Sequence, residues 1–159
     1  MATLPQLVEE DIRQLDDALR ELLTRSDATT ALVIDKGGFL IIKAGDLRHF
    51  DLTTIAALAS GAYAANQTIA RLVREENFSS VYQQGENFSM LVTNVDEHCL
   101  LVTIFRATVS VGAVKYFAAA TCARIAEQMR IAQQREPAAG LDLSALNLAD
   151  PSGVFKRKS

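Results

Sequence analysis

The side chains with the greatest chemical reach in this chain are two cysteines, Cys99 and Cys122, and two histidines, His49 and His98. A thiolate is a nucleophile and a redox centre, and an imidazole is the usual base that activates it. Their placement disfavours both uses. Cys99 opens a β-type run and Cys122 falls on the apolar stripe of a helical pattern, where cysteine behaves as a small hydrophobe. Two widely separated cysteines are also too few for a zinc cluster or a secreted disulfide framework. His49 and His98 each stand beside turn-forming residues, so surface or capping roles are expected for them. Lys36-Gly37-Gly38 superficially resembles a phosphate-cradling turn, but it lacks the Gly-Lys-Ser/Thr ending, and a β-type run follows where a helix is needed. The carboxylate pairs Glu9-Glu10, Asp16-Asp17 and Glu75-Glu76 fall on expected solvent faces of helices, so hydration accounts for them. No metal-ligand cluster and no nucleophile–base pair emerges. The chain is expected to use no cofactor and to have no catalytic site of its own.

Contact with another protein is the better-supported chemistry. Residues 51–76 form the longest helical pattern, opened by a capping Asp51 or Thr53 and closed by Asn77. Ile55, Leu58, Ala62, Ile69 and Leu72, with Asn66 among them, read as its core face. A second stripe, Ala57, Gly61, Ala64, Thr68 and Arg71, follows the same alternating spacing. Small residues let another backbone approach closely. Gly61 in mid-helix costs about 1 kcal/mol relative to alanine, a penalty that usually has a packing reason. The plain alternative is an alanine-rich helix with no partner at all.

The flanking elements are legible from their periodicity. Residues 7–25 form an amphipathic helix with Val8, Ile12, Leu15, Leu19 and Leu22 inward; Glu9, Asp11, Arg13, Asp16, Arg20 and Glu21 take the solvent side, and Ser26-Asp27 ends it. Ala31–Asp35 and Phe39–Lys43 flank Lys36-Gly37-Gly38 as a tight hairpin, with Asp35 opening the turn. After the long helix come three β-type segments, Ser79–Gln83, Asn87–Thr93 and Cys99–Phe105. Ser110 caps a last helix running to about Arg135, with Val111, Val114, Ala118, Cys122, Ile125 and Met129 inward. The order is α-β-β-α-β-β-β-α, and its hairpins imply an α+β fold around an antiparallel sheet. Residues 1–136 are expected to form one domain and 137–159 a flexible tail ending in the basic cluster Lys156-Arg157-Lys158.

Composition narrows the classes further. The chain has 159 residues, 49% hydrophobic and 22% charged, which suits one domain with a real core and excludes a chain disordered throughout. The net charge of −3 and the absence of a long Lys/Arg stripe make nucleic acid an unexpected partner. No signal-like segment opens the chain, and no apolar run approaches the ~20 residues that cross a bilayer. A cytoplasmic protein without integral membrane contact is the expectation.

Together these elements resemble the Roadblock family, the dynein light-chain-type domain, over about residues 7–135. The resemblance rests on the element order, on Val33-Ile34-Asp35-Lys36-Gly37-Gly38 at the hairpin with Gly45 after it, on Leu58-Ala59-Ser60-Gly61-Ala62-Tyr63-Ala64-Ala65, and on the last strand leading to Ser110-Val111-Gly112. The bacterial MglB-like branch is the most similar. That resemblance implies a five-stranded antiparallel sheet with the long helix on one face and the two terminal helices on the other. It implies homodimers that join sheets edge to edge with the two long helices side by side, which makes Ala57, Arg71, Ser79 and Val81 candidate dimer contacts. Members of this branch bind a small Ras-like GTPase and raise its GTP hydrolysis in cell polarity or gliding motility. They insert no arginine finger and instead stabilise the GTPase's own catalytic groups. The contact carries over to Gly61, Ala64, Ala65 and Thr68.

This chain departs from its relatives at a few places. They carry glycine where Thr68 stands and lysines on the last helix near Ala120 and Glu127, and a related tail is acidic at its end. The alternative implied by these differences is a non-activating adaptor that links a GTPase or polarity complex to another protein. An enzyme using Cys99 or Cys122 is the third reading.

Overall fold

The structure is a computed structural model that describes residues 4–135. The tail expected over 137–159, with its basic end, lies outside the described residues. The elements follow the expected order: α1 (Glu9–Ser26), β1 (Thr30–Asp35), β2 (Leu40–Gly45), α2 (Leu52–Leu72), β3 (Ser80–Gln83), β4 (Phe88–Asn94), β5 (Cys99–Arg106) and α3 (Val111–Gln134). The strands form one antiparallel sheet in the order β2-β1-β5-β4-β3. Its centre, β1 and β5, is aliphatic along nearly its whole length because helices cover both faces. Alternate residues serve the two sides. Val33, Leu91, Leu101 and Phe105 pack under α1 and α3, whereas Leu32, Val92, Leu100, Val102 and Ile104 pack under α2.

The β1–β2 turn forms as its residues demand. Asp35 Oδ1 accepts from Phe39 N at 2.9 Å, and Gly38 takes a φ of +97° that few other residues adopt at no cost. Gly45 is more tightly constrained. It has a φ of +96°, and a Cβ there would stand 2.2 Å from the Thr29 carbonyl oxygen. The chain recrosses Thr29 at that point, since Asp46 N donates to the same oxygen at 2.8 Å. Gly45→Ala is expected to cost about 3 kcal/mol through backbone strain, read as a lowered urea midpoint with an unchanged m-value.

α2 departs from expectation in its face and in its end. Its buried residues are Leu52, Ala56, Ala59, Ser60, Tyr63 and Ala70. The stripe expected to face the core is turned outward: Leu58 is 68%, Ile69 48% and Leu72 79% exposed, Ala62 is exposed, and Ile55 is half-buried. Side-chain size misleads here. The face against the sheet is mostly small, Ala56, Ala59, Ser60 and Ala70 between Leu52 and Tyr63, and most of the larger aliphatics fall on the solvent side. The helix also stops at Leu72 rather than Glu76. Arg74 takes a left-handed φ of +66°, Arg74 N donates to Arg71 O at 3.2 Å, and Glu75 N donates to Ala70 O at 2.8 Å. This is a Schellman ending with arginine where glycine is usual. Arg74→Gly is therefore expected to raise stability by about 1 kcal/mol, seen as a higher Tm.

Asp11 is the second correction. Expected on the solvent side of α1, it is completely buried. It accepts Arg135 Nη1 at 2.8 Å and Nη2 at 2.9 Å, Gln128 Nε2 at 2.7 Å and the Val8 backbone N–H at 2.8 Å. One carboxylate thus caps the start of α1 and ties it to the end of α3. Val8 and Ile12, expected inward, are 40% and 37% exposed.

Candidate functional site

The solvent side of α2 is divided lengthwise. Leu58, Ala62, Ala65, Ile69 and Leu72 recur at helical spacing along one flank, and all are exposed. Ala57, Gly61, Ala64, Thr68 and Arg71 run along the other, also exposed. The four expected GTPase contacts therefore separate: Gly61, Ala64 and Thr68 share the small-residue flank, and Ala65 falls among the large aliphatics. Of the expected dimer contacts, Ala57 and Arg71 also lie on the small-residue flank.

This flank is only partly explained by the chain's own packing. A Cβ on Gly38 would meet the Ala57 Cα at 3.2 Å, so the hairpin turn packs closely on α2 there. Gly61 has no such reason, because a Cβ built there meets nothing within 4 Å. Among the described residues, the penalty of about 1 kcal/mol for glycine in mid-helix is offset by no intramolecular contact.

Beside the flank, α2 and the β1–β2 turn enclose a cavity of about 330 Å³ lined by Lys36, Ser60, Tyr63, Ala64, Gln67, Arg71 and Leu100. Its neutral polar groups are committed within the chain. Ser60 Oγ donates to the Lys36 carbonyl at 2.6 Å, and Tyr63 Oη donates to the Phe78 carbonyl at 3.1 Å. The Gln67 amide donates to that same carbonyl at 3.2 Å and accepts Phe78 N at 3.2 Å. These bonds also hold the chain after α2 against the helix and so place β3. The Lys36 ammonium lies 5.9 Å from the Tyr63 ring centroid. Arg71 Nη2 donates to Thr68 Oγ1 at 3.3 Å. Among the described residues, neither cation is within ion-pair distance of a carboxylate.

β3 is an edge of the sheet. Ser79 is exposed, while the Val81 side chain is half-buried against the cluster beneath α2. Its outer backbone N–H and C=O groups are the kind that pair with another strand.

The residues suited to covalent chemistry are not brought together. Both thiols are buried and free. Burial pushes Cys122 up to about 12 and raises Cys99 further, the latter aided by the nearby Asp96 carboxylate. Neither supplies a thiolate near neutral pH. His49 is exposed, with Nδ1 2.6 Å from Asp46 Oδ2. His98 corrects its expected surface or capping role. It is 5% exposed, and neither ring nitrogen makes a hydrogen bond, although Glu97 Oε1 stands 3.3 Å from Nε2. Among the described residues no helix is long and apolar enough to cross a membrane.

This architecture is shared with proteins of known structure. An MglB with tetrameric arrangement is 29% identical with a TM-score of 0.77, the match covering 83% of this chain and 99% of that one. The gliding protein MglB of Thermus thermophilus is 29% identical with a TM-score of 0.75, covering 82% and 99%. Myxococcus xanthus MglB is 25% identical with a TM-score of 0.75, covering 82% and 98%. Comparison with curated protein sequences finds no match. The Roadblock/LC7 domain model matches residues 14–105, from within α1 to the end of β5. With the order of its elements, the two-sided covering of its sheet and the MglB likeness in agreement, the chain belongs to the Roadblock/LC7 family, on its MglB-like branch.

Proposed function

We propose that this chain is a homodimeric regulator that binds a small Ras-like GTPase and stimulates its GTP hydrolysis. The observation that carries the reading is Gly61, exposed in mid-helix with open space where its side chain would be. Neither helix propensity nor internal packing favours glycine there, and close approach of another backbone does. Gly61, Ala64 and Thr68 form that contact, with Ala65 at its border.

The aliphatic flank has the other role. Leu58, Ile69 and Leu72 present large apolar side chains to solvent in a row that continues to Val73, 58% exposed. Two copies that pair their β3 edges, with Ser79 and Val81 beside the seam, bring their α2 helices alongside each other and cover this row. Two-fold pairing of identical surfaces is the commonest oligomer geometry. Ala57 and Arg71 then remain on the open side of the dimer.

Stimulation requires no catalytic group from this chain. A GTPase held against a rigid dimer has its own switch residues fixed in the productive arrangement, and positioning with electrostatic preorganisation is the main lever in phosphoryl transfer. The process served is cell polarity or gliding motility, in the cytoplasm.

The test is single-turnover GTP hydrolysis by a purified Ras-like GTPase of the same organism, with and without the chain, together with direct binding. Acceleration supports the activator. Binding with unchanged hydrolysis makes the protein an adaptor, the role that the difference from relatives at Thr68 favours. A monomer by light scattering at micromolar concentration would remove the dimer.

A further inference from the structure

We propose that the cavity between the β1–β2 turn and α2 is a receptor for one acidic side chain of the partner protein, its carboxylate held by Lys36 and Arg71. This rests on the GTPase-binding reading for the identity of the partner, but the cavity's chemistry is independent of it.

Three features converge on a carboxylate carried on an apolar stem. The only cationic groups lining the cavity are Lys36 and Arg71, and neither has a carboxylate within ion-pair distance among the described residues. In a chain of net charge −3, Lys36 and Arg71 are two cations beside one cavity with no carboxylate in contact among the described residues. The neutral polar groups lining it, on Ser60, Tyr63 and Gln67, are engaged with the chain's own backbone. A neutral amide or hydroxyl entering the cavity would therefore give up water for little in return, whereas a carboxylate meets charge-assisted donors. The remaining lining that a side chain can touch is the edge of the Tyr63 ring and Ala64, with Leu100 behind them, which suits the methylenes of glutamate or aspartate.

Position selects a protein carboxylate over a free anion. Ala64 belongs both to the cavity and to the small-residue flank, so a backbone lying against Gly61 and Ala64 directs a side chain straight into the opening. A free inorganic anion would leave the apolar lining uncovered. Two charge-assisted contacts beside a close backbone approach would also give the encounter a strong salt dependence.

The experiment uses the full chain and its variant Lys36→Gln/Arg71→Gln. Both sites are exposed, so the variant is expected to keep the wild-type circular dichroism and Tm. The first readout is amide chemical shifts during titration with a blocked tetraglutamate peptide, with tetraglutamine as the control. Saturable shifts at residues 36–38 and 60–71, given by tetraglutamate alone and lost in the variant, are expected. Equal shifts with tetraglutamine, shifts retained in the variant, or no localised shifts would overturn the proposal. The second readout is affinity for the GTPase, expected to fall at least tenfold in the variant and to lose most of its salt dependence. Wild-type affinity in the variant would discard the receptor while keeping the GTPase reading. A chain that takes up tetraglutamate but binds no GTPase would support the receptor and discard that reading instead.

Discussion

Replacing Asp11 with alanine is expected to lower the unfolding free energy by about 2–3 kcal/mol, the scale for removing a completely buried carboxylate's charge-assisted hydrogen bonds when its Arg135 partner can turn to solvent. The substitution leaves Arg135 without its bidentate partner, Gln128 without its acceptor, and the first turn of α1 without the carboxylate that accepts Val8 N. It therefore loosens two helices at once, on the side of the sheet away from α2. Asp11→Asn should cost less, because an amide oxygen still accepts one of these bonds. Urea unfolding at neutral pH measures both.

The same site sets an acid limb. The Arg135 guanidinium, with help from Val8 N and Gln128, holds the Asp11 carboxyl at about 2, below its ordinary 3.8. A depressed carboxylate contributes its stability above its unfolded value and loses it as pH falls through the folded one. Asp11 thus adds about 2.5 kcal/mol that is present above pH ~4 and disappears towards pH ~2. Wild type and Asp11→Ala should converge in stability across that window. Parallel urea midpoints from pH 6 to pH 2 would refute the assignment.

Ala64→Arg is expected to reduce affinity for the GTPase more than 100-fold, about 2.7 kcal/mol, and to abolish any acceleration of hydrolysis. Ala64 is exposed, so folding should change by no more than about 0.5 kcal/mol. The arginine would occupy the flank beside Gly61 and add a third cation between Lys36 and Arg71. Bulk closes the backbone approach, and repulsion opposes the acidic group the cavity suits. Calorimetric titration with the GTPase decides it. An affinity within twofold of wild type would remove this flank from the interface.

Much of the fold was legible because it depends on local periodicity. Val114, Ala118, Cys122, Ile125 and Met129 announce α3, and each is buried. Asp35 with Lys36-Gly37-Gly38 announces the hairpin, and Ser110 caps α3 by accepting Ala113 N at 3.4 Å. α2 was misread on its faces because hydrophobic size is a poor guide when a helix carries two apolar surfaces. Leu58, Ile69 and Leu72 satisfy the helical period as well as Leu52, Ala56, Ala59 and Tyr63 do. The alanine-rich set could be recognised as the core only once the sheet beneath was in place. Asp11 and His98 were misplaced for a related reason. Their burial depends on residues far along the chain, Arg135 for Asp11 and the Lys36 turn whose N–H meets the His98 carbonyl at 2.8 Å.

By itself, the sequence determined the order and type of the elements, the tight turn at Gly37-Gly38 and the unusual glycine at 61. Each is a property of neighbouring residues, set by side-chain period, capping chemistry or permitted backbone angles. Only the tertiary structure decided which side of α2 is exposed, that Gly61 has no neighbour among the described residues where its side chain would stand, and that Lys36 and Arg71 border one cavity. Those depend on the distance between segments remote in sequence, which is set by how closely α2 lies on the sheet and by where the hairpin turn meets Ala57.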